Sequence, residues 1–170
     1  MNRLTSLLLL VLTLISQQSF SQESYKRIAG LTTSFTQGDL GIQIPIFISK
    51  SVSLAPYVSI NTVSDAGSDF SVGLIPKFYI NTNKLAPYFG VKFALAFYSP
   101  PSGTLAKSTT DILGGMAFGG DYFFDPRFAI GVEGQVNVAV SDEYSSRFNN
   151  PGGTNLNTGM AINVSIFFGE

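Results

Sequence analysis

Cysteine, histidine and tryptophan are all absent from the 170 residues of this chain. Without cysteine there is neither a disulfide framework nor a thiolate metal site. Without histidine a Ser-His-Asp arrangement cannot be assembled. Charge is scarce too: Lys+Arg 10 and Asp+Glu 11 make 12% charged residues and a net charge of -1. A water-solvated domain carries about 25%. That balance leaves no basic excess to bind nucleic acid. Hydrophobic residues reach 45%, yet they form no long run beyond the N-terminus. Apolar residues dispersed in this way exclude a bundle of transmembrane helices.

The one apolar run reads as an export signal. Asn2 and Arg3 form a short n-region with one positive charge, and Leu4 to Ile15 an h-region interrupted by Thr5, Ser6 and Thr13. Ser19-Phe20-Ser21 is a small-x-small cleavage site, so residues 1–21 are expected to be removed and the domain to begin at Gln22. No cysteine follows, which rules out a lipoprotein signal.

From there the apolar period is two rather than 3.6. Between Leu85 and Tyr98 one face carries Leu85, Pro87, Phe89, Val91, Phe93, Leu95 and Phe97, and the other carries Ala86, Tyr88, Gly90, Lys92, Ala94, Ala96 and Tyr98. The same alternation runs from Phe128 to Ser141 and from Leu156 to Phe168, and it recurs near 25–36, 39–49, 51–62, 69–80 and 109–124. Eight strands result, each long enough to cross a bilayer at about 9–11 tilted residues. Tight turns, Ser49-Lys50, Asn81-Thr82-Asn83 and Asp125-Pro126-Arg127, alternate with more varied connections, of which 99–108 and 142–155 are long. Short turns at one end and long loops at the other are the pattern of a transmembrane barrel, with the short turns and both termini periplasmic. Leu54-Ala55-Pro56-Tyr57 recurs as Leu85-Ala86-Pro87-Tyr88 on strands of the same direction. Bulges or lapsed pairing are expected at the strand prolines, which cannot donate to a ladder.

The polar face consists mainly of Gly, Ala, Ser, Asn, Gln and Tyr, with charge only at Lys77, Lys92, Asp111, Asp121 and Glu133 in the fourth to seventh strands. A water-facing surface wants roughly 25–35% charge, so this face is expected to line a lumen. The apolar face carries no charge in the second to eighth strands, and a Lys or Arg in lipid there would cost about 2–4 kcal/mol at the midplane. A soluble lipocalin-like barrel would need the opposite arrangement. Phe78, Phe89, Phe124, Phe128 and Phe168 crowd the short-turn end of the apolar face, as an interfacial girdle would. Charges inside so narrow a lumen must pair. Counting depth from the short turns suggests Lys92 with Glu133 and Lys77 with Asp121.

These features together resemble the small outer-membrane β-barrel family, the OmpA- and OmpX-like eight-stranded barrels. The resemblance lies in the signal, in Leu85-Ala86-Pro87-Tyr88-Phe89-Gly90-Val91 and in the closing Ile166-Phe167-Phe168. That ending is similar to the aromatic signal read by the barrel-assembly machinery, although Gly169 and Glu170 follow it. The resemblance implies an all-β, up-and-down antiparallel barrel, monomeric, surrounded by the lipid of a Gram-negative outer membrane. It implies no particular activity. Outer-membrane barrel enzymes resemble one another in relying on histidine, which is missing here.

No catalytic, cofactor or metal site is expected. Gly114-Gly115 and Gly119-Gly120 lack a following Gly-Lys-[Ser/Thr] and read as relief of crowding in a tight barrel. Asp65 to Asp69 and Asp142-Glu143 are oxygen-rich but lack EF-hand spacing, so they read as solvated loops. Tyr144, Arg147 and Phe148 stand out in the longest connection as candidate contact groups on an external loop. The expected role is structural or adhesive, through external loops and a partner the sequence does not name. A narrow porin-like channel is the alternative, disfavoured because eight strands leave a lumen that side chains just fill.

Overall fold

The computed structural model describes residues 26–36, 40–63 and 67–170, the side chains of 61–63 excepted. The expected signal and the short connections expected from sequence at Gln37-Gly38 and around 63–68 lie, wholly or in part, outside the described residues. Among the described residues nine β elements follow one another: β1 (Arg27–Thr36), β2 (Leu40–Gln43), β3 (Ile46–Phe47), β4 (Val52–Val63), β5 (Gly67–Tyr79), β6 (Leu85–Ser99), β7 (Thr109–Asp125), β8 (Phe128–Val140) and β9 (Thr154–Gly169). Except for β2 and β3, consecutive elements pair antiparallel, and β1 pairs with β9, which closes the sheet. Because β2 and β3 both lie between β1 and β4, they form one stave broken at Ile44-Pro45, and the barrel has eight staves.

The break has a local cause. Pro45 has no N–H to offer, but its carbonyl still accepts from Gly30 N at 2.8 Å, and Ile44 N donates to the Pro56 carbonyl at 2.9 Å. The stave is therefore continuous in space although its ladder is not. At Pro76 the β5–β6 ladder lapses as well: pairing runs to Leu74↔Phe93 and resumes at Lys77↔Gly90 without a slip. The two bulges lie elsewhere, between Arg27 and Ala29 and between Phe123 and Asp125.

Along β8 exposure alternates at every residue, with Val132 59% exposed and Glu133 1% exposed. The apolar face points out and the polar face is buried, the reverse of a soluble barrel. Small residues make this packing possible. Tyr88, Gly119 and Glu133 pair in one register row. A Cβ on Gly119 would stand 2.8 Å from the Tyr88 hydroxyl, so only glycine lets the tyrosine lie across β7.

Phe89, Phe124, Phe128 and Phe168 are exposed on the outward face near the short turns. Phe78 is half-buried there because its ring stacks on Phe89 with centroids 4.8 Å apart. The two ends of the barrel meet at the same rim, where Lys26 N donates to the Glu170 carbonyl at 2.7 Å.

Candidate functional site: a lumenal charge cluster and a clamped mouth

Aromatic rings pack together at the short-turn end of the lumen. Phe47 and Phe123 each pack against Phe167, and Arg27 lays its guanidinium 3.7 Å from the Phe123 ring centroid. This floor was missed in sequence. Its signal was available, since Phe123 and Phe167 fall on the polar parity at strand ends.

Above the floor, β5, β6, β7 and β8 bring five charged or phenolic groups together. Lys77 Nζ is 3.2 Å from Glu133 Oε2, and Tyr88 donates its hydroxyl to the same oxygen at 2.7 Å. Gln135 donates to Glu133 Oε1 at 2.6 Å. Tyr79 donates to Asp121 Oδ2 at 3.0 Å. Each carboxylate thus has a donor, which is what a buried charge requires.

The expected partner of Glu133 was different, and register explains why. The ion pair at Glu133 is made by Lys77, not Lys92, and Asp121 takes the Tyr79 hydroxyl. Lys92 pairs in register with Gly115, and Gly115 with Asn137, which is four residues along β8 from Glu133. Four residues are about 13 Å of strand, beyond the reach of a lysine. Lys77 shares its row with Gly90, Ala117 and Gln135, a single inward step from Glu133. Counting from the turns treats the staves as level, whereas a barrel is sheared. Lys92 instead lies 5.1 Å from the Tyr57 ring centroid, beside a lumenal cavity of about 50 Å³ that Gln43, Ser59 and Gln135 also line.

At the long-loop end, the loop that follows β8 is tied into the mouth. Arg147 turns down into the mouth rather than outward, which corrects its expected role as an external contact. Its Nε donates to Asp111 Oδ2 at 3.0 Å, and its Nη2 pairs with Asp69 Oδ1. Asp111, inward-facing and fully buried on β7, also accepts from Asp142 N and Ser145 Oγ, both at 2.9 Å. One guanidinium therefore ties the loop to β5 and β7 at once, across Ala96 of β6, which pairs with Asp111. Left-handed backbone at Asn149 and Gly152 lets the chain reverse on its way back to β9. Tyr144 remains outside, 53% exposed, with Lys107 Nζ 3.7 Å from its ring centroid, while Phe148 is half-buried.

No family model and no curated sequence matches the chain. Among solved structures it is similar to Neisserial surface protein A (NspA), with a TM-score of 0.58 and 16% identity over 82% of this chain and 93% of that one. It is also similar to the N-terminal β-barrel domain of Pseudomonas aeruginosa OprF, with a TM-score of 0.51 and 15% identity over 82% of this chain and 95% of that one. The fold is that of the small eight-stranded outer-membrane barrels. Identities this low establish the architecture and leave activity to the residues themselves.

Proposed function

We propose that the chain is a non-enzymatic surface protein of a Gram-negative outer membrane, anchored by its barrel and working through the rim that carries the long loops. The observation that carries this reading is the Arg147 clamp on Asp111 and Asp69. A loop held in this way is a fixed platform with Tyr144 facing outward, and a preordered contact surface loses less entropy when it binds. The exposed apolar face supports placement in lipid, since the residues on it would aggregate in water. Short turns are characteristic of the periplasmic side, which puts the platform outside and leaves Phe78, Phe89, Phe124, Phe128 and Phe168 at the inner interface. A closed barrel has no edge to pair with another chain, which favours a monomer inserted by the barrel-assembly machinery. The aromatic floor and the clamp both count against the channel reading.

The test joins topology to conductance. Ser146 is exposed on the platform, and Ser146→Cys should react with a membrane-impermeant reagent on whole cells. The purified barrel should add no steady conductance to a planar bilayer. Labelling only after lysis would reverse the orientation, and a steady open current would favour the channel.

A further inference from the structure

Gly114 presents no side chain on the outward face of β7, and its neighbours leave the gap open. The result is a groove of about 520 Å³ lined by Val91, Ile112, Met116, Phe118, Val138 and Val140 around that glycine. It climbs from the Val91↔Met116 pair to the Ile112↔Val140 pair at the top of the β7–β8 ladder. Beyond that pair, the connection leading into β7 and the loop leaving β8 bring Lys107 onto the ring of Tyr144, both exposed. A cation braced on a ring thus lies in the two connections that follow the upper end of the apolar groove.

We propose that this groove binds one saturated acyl chain of a phosphorylated glycolipid of the outer leaflet, the lipid A class, with a phosphate set against Lys107. The inference rests on the membrane placement and orientation proposed above. Inside a bilayer there is no hydrophobic drive to fill a groove, because lipid tails are as apolar as its walls. Preference has to come from packing and from charge. An unfilled gap loses dispersion contacts along its lining, and a straight chain lying along the strands restores them. The Lys107 ammonium complements the phosphate, and Tyr144 belongs at headgroup level, where an amphipathic ring is wet at one end. Glu143, exposed next to Tyr144, opposes an anion. Asp142 Oδ1 is already engaged by Tyr144 N at 2.9 Å.

The experiment uses the refolded full barrel in detergent, offered lipid A or phosphatidylcholine with matched saturated chains, with bound lipid read by native mass spectrometry. The wild type should retain one lipid A, about tenfold more often than phosphatidylcholine, a preference of about 1.4 kcal/mol. Gly114→Leu fills the groove and should lose the bound lipid. A Cβ there meets only the Lys92 carbonyl oxygen at 4.0 Å, so the backbone leaves room for a side chain. Lys107→Gln should lose the preference between the two lipids, and Glu143→Gln should strengthen it. Gly120→Leu is the control, outward on β7 in a row with Pro87 and Val132 that lies outside the groove, and should bind as the wild type does. Equal retention of both lipids by the wild type, or unchanged retention by Gly114→Leu, would overturn the proposal. Failure of the wild type to insert into lipid vesicles would instead overturn the membrane placement beneath it.

Discussion

Tyr88 crosses Gly119 to donate its hydroxyl to Glu133 at 2.7 Å. Three residues of one register row are thereby interdependent, and the glycine is as necessary to the hydrogen bond as the two groups that make it. Gly119→Ala should destabilise the barrel by about 1–3 kcal/mol, the usual range for an overpacked interior. The new Cβ would meet the Val132 carbonyl oxygen as well as the tyrosine, so little relaxation is open to it. Urea titration in lipid vesicles measures the change. A variant as stable as the wild type would mean that the row is slack.

Lys77→Met leaves Glu133 buried without its ion pair and should cost about 3–5 kcal/mol. Adding Glu133→Gln should recover part of that loss, because the stranded charge is gone. Lys92→Met combined with Glu133→Gln should be additive within about 0.5 kcal/mol, as for sites separated by more than a side chain's reach. The same vesicle titrations serve both cycles. Strong coupling of Lys92 to Glu133 would contradict the register that sets their rows four residues apart along β8.

Arg147→Gln should release residues 141–153 from the mouth while the staves remain intact. Loss of charge-assisted bonds to Asp111 is worth about 1.5–3 kcal/mol, enough to speed amide exchange across the loop by more than about tenfold. Exchange within β8 and β9 should stay as slow as in the wild type. Faster exchange throughout the barrel would mean that the clamp holds the fold and not merely the loop.

Closed barrels resist unfolding in detergent because no strand edge is free. The unheated protein should therefore migrate differently on a gel from the boiled protein, with a β-type circular dichroism spectrum. A single band at both temperatures would argue against closure between β1 and β9.

The alternation that reveals the strands is legible in sequence because two unlike environments, lipid and lumen, each select one parity. The stave expected over 39–49 was found, and its break at Ile44-Pro45 falls at a strand proline, where lapsed pairing was expected. Parity also placed Lys77, Asp121 and Glu133 inward. It could not choose their partners, because pairing across a lumen depends on shear, which single strands do not encode. Beyond the last strand residue parity has no meaning at all, so Arg147 gave no sign of turning inward. Asp111 did carry a clue: a carboxylate on an inward position near a rim needs a cation, and the longest loop contains one arginine.

The strand prolines have a mechanical consequence. Pro45, Pro56, Pro76 and Pro87 sit in or between the elements from β2 to β6, and each withholds a donor from the sheet. From β7 to β9 the ladders contain none, and the β8–β9 ladder runs unbroken from Phe128↔Ile166 to Val140↔Thr154. One side of the barrel is therefore compliant and the other stiff, so bilayer compression should deform it unevenly. Arg147 fastens Asp69 on the compliant side to Asp111 on the stiff side, acting as a tie-rod across the rim where an elastic tube of unequal walls would first go out of round.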